Sequence, residues 1–263
     1  MLTRHLITRR ADEDGVDAAI AERDYVLAHI VSQLHFARPM DGGRLVFKGG
    51  TALRLVHMRD YRYSADLDFT IVGGGVDASI TALSVSIEAA RDQAGFPLLE
   101  LTSDATGVAY VGPLGAKPRR IKLDMATDEY VETVTHAAVL DGVWNDLPAR
   151  EPFDVYPVDE IAAEKLRCII QRVQCRDLYD LYRLADDMNV SFAEVRPLFE
   201  RKAEAKGLDP AAFPDKFGDR LDRYRQRWER EMSEHVAPVP RFDDVVRVVR
   251  RHLRNAGMVS DRS

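Results

Sequence analysis

The first recurrent apolar pattern has helical spacing. Val26, Leu27, Ile30, Val31 and Leu34 fall three and four apart, on one helical face, and predict a helix over 17–36. The period then shortens. A short apolar strand over 44–47 runs into Lys48-Gly49-Gly50-Thr51, and a helical segment follows over 52–58. Leu67, Phe69 and Ile71 alternate with Asp66 and Asp68. This period of two predicts a strand over 66–72, ended by Gly73-Gly74-Gly75. A helix is expected over 78–94, then strands over 98–101, 107–111 and 120–125. A Gly/Pro/Lys loop joins the last two, which predicts a hairpin.

From Pro157 on, the spacing is helical throughout. Asp159 is placed to cap a helix running through Ile161, Leu166 and Ile170, and Leu178, Leu181 and Leu184 mark a second. Ser191-Phe192-Ala193-Glu194 has the form of a capping box. Asp209-Pro210 reads as another helix start. A last helix over 241–255 ends near Gly257, a C-cap residue. Strands first and helices afterwards predict an α+β chain: a mixed-sheet lobe with flanking helices over 1–155, then a helical C-terminal lobe over 156–263.

Composition narrows the class. With 263 residues, 46% hydrophobic and 30% charged, the chain is an ordinary globular protein without repeats or low-complexity tracts. Its longest uncharged runs, 25–37 and 105–116, are too short to span a bilayer. No apolar stretch follows the first residues, so a cytoplasmic protein is expected. Two cysteines, Cys168 and Cys175, make neither a disulfide framework nor a four-ligand zinc site. A net charge of −6 restricts any nucleic-acid contact to local basic patches.

Three segments carry candidate chemistry. Gly49 and Gly50 at a strand-to-helix turn let backbone N–H groups approach a phosphate, with Lys48 and Thr51 as further donors. Asp66 and Asp68 share one strand face, and two neighbouring carboxylates repel unless a cation lies between them. A hard divalent ion, magnesium or manganese, meets that need. Lys122 and Asp124 share a face of a later strand and add a third carboxylate. Each segment alone also describes an ordinary glycine turn, a solvated strand edge or an amphipathic strand. Their order resembles the layout of the nucleotidyltransferase fold typified by DNA polymerase beta, in which metal ions clamp an in-line displacement at phosphorus.

The strings Phe47-Lys48-Gly49-Gly50-Thr51-Ala52-Leu53 and Tyr63-Ser64-Ala65-Asp66-Leu67-Asp68-Phe69 resemble the AbiEii/AbiGii toxin family of nucleotidyltransferases, which includes the MenT toxins. Glu164-Lys165-Leu166 and Arg176-Asp177-Leu178-Tyr179-Asp180-Leu181 resemble its later motifs, and 22–27 its opening helix. The resemblance covers roughly 20–185. It implies a toxin of a toxin–antitoxin or phage-defence pair, with a cognate antitoxin as partner. Such toxins transfer nucleotides from a nucleoside triphosphate, often a pyrimidine one, to the 3′ end of tRNA and block translation. By the same resemblance Gly49, Gly50 and Thr51 hold the triphosphate, and Asp66 and Asp68 bind the metal. Lys122 and Asp124 form the second motif, Lys165 the third, and Asp177 with Asp180 the fourth. Thr51 stands where the family often has serine, a hydroxyl for a hydroxyl. Ser64 matches a serine whose phosphorylation silences related toxins; a phosphate there adds negative charge beside two aspartates.

Four basic stretches are candidate RNA contacts: Arg4, Arg9 and Arg10; Arg54, Arg59 and Arg62; Lys117, Arg119 and Arg120; and the late arginines. Among the last, Arg220 to Arg230 read as a solvated helix face, and Arg247, Arg250, Arg251 and Arg254 as a face for RNA or an acidic antitoxin. The seven histidines show no ligand spacing and read as structural. Cys168 and Cys175, seven apart and so on one face of an unbroken helix, read as buried thiols, and Trp144 and Trp228 as packing residues. The rival functions are transfer to a small molecule or a protein hydroxyl, and a non-catalytic partner subunit.

Overall fold

The computed structural model describes residues 1–115, 117–148 and 151–260. Its elements in chain order are α1 (Arg4–Asp14), α2 (Ala18–Ser32), β1 (Arg44–Lys48), α3 (Gly49–Ala52), β2 (Asp66–Val72), α4 (Val76–Ala94), β3 (Leu98–Leu101), β4 (Gly107–Val111), β5 (Arg119–Ala126), β6 (Thr135–Ala137), β7 (Phe153–Val155), α5 (Val158–Gln171), α6 (Cys175–Asp186), α7 (Phe192–Ala205), α8 (Phe213–Met232) and α9 (Phe242–Asn255). The chain divides into two compact units. One comprises Met1–Thr127, Val134–Tyr156 and Glu234–Ala237; the other comprises Asp128–Thr133, Pro157–Ser233 and the chain from Pro238 on.

The first unit is built on a mixed sheet of order β3-β4-β5-β2-β1-β7-β6, as the α+β expectation requires. Leu67, Phe69 and Ile71 of β2 are buried, each worth about 1.5–3 kcal/mol of transfer free energy. Phe69 lies opposite Phe47 of antiparallel β1, the rings 5.4 Å apart. Thr70 is buried as well, its hydroxyl 2.8 Å from that of Tyr156. The chain leaves β2 through α4, β3 and β4 and returns as β5, which pairs with β2 in parallel. β4 and β5 form the expected antiparallel hairpin; Ala116 in its loop lies outside the described residues. Around the sheet, α2 packs on α1 and α4, and α4 on β3.

The second unit holds α5 to α9. α5 packs on α6, α7 and α8, and α9 on α6 and α7. Leu166, Leu178, Leu181, Val245, Val249 and Leu253 fill its core. Ser191 caps α7 by accepting from Glu194 N–H. Gly257 at φ +64° closes α9, with Met258 N–H donating to Leu253 O at 2.9 Å.

Several local expectations change. α2 ends at Ser32, followed by a 3₁₀ turn at Leu34–Phe36. The segment over 52–58 is no plain α-helix: α3 starts at Gly49, and Leu53–His57 forms a π turn with Met58 N–H donating to Leu53 O at 2.8 Å. Pro157, not Asp159, is the N-cap of α5; Asp159 lies in the first turn, where it favours the helix dipole. Asp209-Pro210 opens a 3₁₀ turn ahead of α8. Cys168 and Cys175 lie on successive helices rather than one, and both are buried free thiols. No helix among the described residues is long and apolar enough to cross a membrane.

Candidate active site

In a parallel pair, residues in register point to the same face. Asp68 of β2 is in register with Asp124 of β5, and Asp66 with Lys122. Since Asp66 and Asp68 already share a face, two adjacent strands present three carboxylates and one ammonium together. Lys122 Nζ is 3.6 Å from Asp124, both side chains more than half exposed. The donor set is all hard oxygen and suits a divalent cation. No group of three or more His, Cys, Asp or Glu side chains among the described residues is gathered as a ready-made cation site. The three carboxylates share this face through the backbone register of β2 and β5.

The glycine turn abuts this face. β1 ends at Lys48, in register with Asp68, and Gly49 turns the chain directly into α3 at φ +80°. A Cβ on Gly49 would lie 2.5 Å from Asp68 Oδ2. Both the left-handed backbone and the close approach require glycine here. Gly49→Ala is expected to displace the Asp68 carboxylate and lower nucleotide transfer by about 10²-fold. Steady-state transfer measures this, and activity within twofold of the parent would contradict the contact.

Gly50 makes a similar approach on its other side. A Cβ there would come within 2.6 Å of Arg62 Nη2 and 3.1 Å of Ser64 Oγ. Thr51 is buried, and its hydroxyl donates to the Asp66 carbonyl at 2.6 Å. The hydroxyl proton thus fastens the turn to β2 instead of pointing to a ligand. Lys48 is also buried, its Nζ 5.8 Å from the Tyr156 ring centroid. Ser64 precedes β2, which begins at Asp66, so strand alternation does not set its direction. It is buried against the Gly50 turn.

Two arginines expected on an RNA surface are interior fasteners. Arg54 is buried, pairs with both carboxylate oxygens of Asp24 and stacks 3.7 Å above the Tyr63 ring. Its Nη1 donates to the Tyr61 carbonyl, and Trp144 Nε1 donates to Asp24 at 3.1 Å. Arg62 is buried at Gly50. This network holds residues 61–63, which lead into the aspartate strand. Arg54 reaches Asp24, thirty residues earlier, a pairing that no local sequence pattern signals. The other basic stretches of this unit are also engaged: Arg10 with Asp14 at 2.7 Å, Arg119 with Glu22 at 3.0 Å and Arg120 with Asp104 at 3.6 Å. His29 is buried against Tyr25 and Phe96, and burial holds its imidazole below the ordinary value.

The remaining predicted residues lie in the second unit and are joined to one another. Lys165 on α5 places its Nζ 2.9 Å from Asp177 and 2.7 Å from Asp180, one turn apart on α6. Arg172 grips Asp177 at 2.8 and 3.1 Å. Burial alone would raise the Asp177 carboxyl; the charges of Lys165 and Arg172 outweigh it and hold the group below the usual carboxylate range. Both aspartates are almost fully buried, so neither is an exposed helix-face residue. Arg220 and Arg227 of α8 donate to carbonyls at the end of α5, Arg172 O and Val173 O, each at 3.1 Å. Trp228 Nε1 donates to Pro240 O.

Burial pushes the Cys168 and Cys175 thiols up to about 12. At pH 8 about one thiol in 10⁴ is then a thiolate. Neither cysteine is expected to react with iodoacetamide in the folded chain, and both should react in guanidinium chloride. Intact-mass spectrometry reads the difference, and alkylation of the native protein would contradict the burial.

The sequence profile described as "Nucleotidyl transferase AbiEii toxin, Type IV TA system" matches residues 34–248, which span the glycine turn, the three carboxylates and the lysine–aspartate cluster. The chain belongs to the AbiEii family. As an AbiEii protein it is a nucleotidyltransferase toxin of a toxin–antitoxin system, with a nucleoside triphosphate and an antitoxin as implied partners. Its fold is similar to that of MenT4, nucleotidyltransferase toxin Rv2826c from Mycobacterium tuberculosis H37Rv. The TM-score is 0.61 and the identity 22%, over 100% of this chain and 95% of that one. No curated protein sequence matches the chain.

Proposed function

We propose that this AbiEii protein transfers a nucleotide, a pyrimidine one, from its triphosphate to the 3′ end of tRNA in the cytoplasm and thereby blocks translation. The observation that carries the reading is the in-register carboxylate face of Asp66, Asp68 and Asp124 against the Gly49–Gly50 turn. The acceptor's terminal hydroxyl oxygen attacks the α-phosphorus, a new P–O bond forms, and the bond to pyrophosphate breaks. Asp66 or Asp124 takes the hydroxyl proton, directly or through water. Gly49 and Gly50 supply first-turn N–H groups to the triphosphate, and Lys48 and Lys122 supply positive charge. Magnesium or manganese held by Asp66, Asp68 and Asp124 would lower the pKa of the attacking hydroxyl and neutralise the leaving group. The family resemblance assigns Lys165 to charge on the triphosphate; Asp177 and Asp180 fix its ammonium. Thr51 acts here as a positioning residue for Asp66. Phosphorylation of Ser64 would insert charge beside the turn and silence the protein, and the buried serine requires the segment 61–65 to open first.

The test is purified protein with magnesium, total bacterial RNA and each α-labelled nucleoside triphosphate in turn. Label on tRNA-sized RNA is the expected result and names the nucleotide. Label on protein, or only on a small-molecule acceptor, would overturn the acceptor, and no label anywhere would overturn the transfer itself.

A further inference from the structure

The late arginines gather around a concavity within the second unit. A cavity of about 340 Å³ lies between α8 and α9, lined by Leu221, Arg225, Phe242, Arg247, Arg250 and Arg254 among others. We propose that this groove binds the sugar–phosphate backbone of RNA. It contains none of the residues assigned to transfer. Naming the polyanion as RNA rests on the acceptor reading above.

The stripe follows from helix geometry. Arg247, Arg250 and Arg254 recur three and four apart on α9, while Val245, Val249 and Leu253 bury the opposite face. Arg251 lies on the same helix face but turns to Asp186 of α6 at 3.5 Å and does not line the cavity. Arg225 of α8 completes the set. It pairs with Asp243 at 2.6 Å and lies 4.7 Å over the Phe242 ring, so its plane is held. Arg247 is held by Asp244 at 2.7 Å. Four arginines against one aspartate line the cavity, in a chain whose net charge is −6. Such a concave cationic patch concentrates field locally.

Two further observations point to a ligand. Arg250 Nε is buried and makes no hydrogen bond with the described residues, a cost that an anion in the groove offsets. Apart from Lys216, the Lys and Arg residues of α8 and α9 are all arginine, whose planar fork fits phosphate oxygens. Phosphodiester charges recur at regular spacing and need no apolar anchor. An acidic protein partner normally seats aromatic or aliphatic side chains, and here Phe242 is already covered by Arg225. A cavity of this volume takes one phosphate with its ribose. Arg250 and Arg254 also lie past residue 248, where the family match ends, so the groove is not part of that match.

The experiment is fluorescence anisotropy of labelled bacterial tRNA with the full chain at several salt concentrations. The comparison is Arg247→Ala/Arg250→Ala/Arg254→Ala. Arg223→Ala/Arg230→Ala, exposed arginines of α8 outside the groove, serves as control. The groove variant is expected to weaken binding about tenfold or more, and to reduce the slope of log K against log salt by two to three. The control should stay within twofold. If the triple variant does not fold, Arg247→Gln/Arg254→Gln, both exposed, is expected to reduce the slope by about two. Unchanged affinity and slope in the groove variants would overturn the proposal. So would an equal loss in the control, or a polyglutamate peptide that needs the groove when RNA does not. If the parent labels no RNA yet loses tRNA binding with the groove arginines, the acceptor reading fails and the groove stands.

Discussion

Asp66→Asn and Asp68→Asn are each expected to lower nucleotide transfer by about 10³-fold or more while leaving the chain folded. Stabilisation of a phosphoryl transition state by a bound cation is worth several kcal/mol, and each 1.36 kcal/mol is about tenfold in rate. The two side chains share a face of β2 with Asp124 in register beside them. An amide keeps the shape and one oxygen but removes the charge that holds a cation. Stability should move little, because both positions are only partly buried and removal of one of three like charges relieves repulsion. Transfer of α-labelled nucleotide, read beside an unfolding curve, separates the effects. A folded variant with activity within tenfold of the parent would sink the metal-face assignment. Chelation of divalent ions should reproduce the loss in the parent and be reversed by magnesium. Lys122→Met should cost less, since Lys122 is exposed and only one of several positive groups proposed there.

What was legible in the sequence were the local patterns. The alternation of Leu67, Phe69 and Ile71 with Asp66 and Asp68 states a half-buried strand with two carboxylates on one side, and β2 has that form. Glycine at a strand-to-helix turn was equally readable, and Gly49 uses its freedom at φ +80°. Pairing was harder to see. That Asp124 stands beside Asp68 depends on a parallel register closed across α4, β3 and β4, which no local pattern encodes. Burial of charge was hidden for the same reason. Arg54 and Arg62 read as surface residues because arginine usually is one; a distant acid and a glycine contact take them inside. The hydroxyl of Thr51 was readable as a donor, but its acceptor is a carbonyl fifteen residues on. α1 shows no clear apolar period, because only Ile7 and Ala11 of it are buried. β6 and β7 have three residues each, too few to display a period.

Lys202→Met is expected to destabilise the chain by about 3–5 kcal/mol, the cost of leaving a buried charge unpaired. Lys202 on α7 and Glu160 on α5 are both 0% exposed, with Nζ 2.6 Å from Glu160 Oε2. The ammonium also donates to Tyr130 O at 2.6 Å, and Glu160 Oε1 accepts the N–H groups of Glu132 and Thr133 at 2.7 Å each. The pair therefore ties residues 130–133 of the second unit to two of its helices. The half-buried Lys206 adds a further pair, 2.6 Å from the exposed Asp128. Methionine keeps the length and apolar stem of lysine but strands the Glu160 carboxylate in the interior. Glu160→Gln leaves an oxygen for the two N–H groups and strands the ammonium instead. Lys202→Met/Glu160→Gln removes both charges and keeps the backbone acceptor, so it should be more stable than Lys202→Met alone by 1 kcal/mol or more, about the scale of coupling between contacting residues. Urea unfolding of the full chain and its three variants measures the cycle. If Lys202→Met cost less than about 1 kcal/mol, the pair would be dispensable. If the double variant were no more stable than Lys202→Met, the loss would come from the missing Tyr130 contact rather than from the stranded charge.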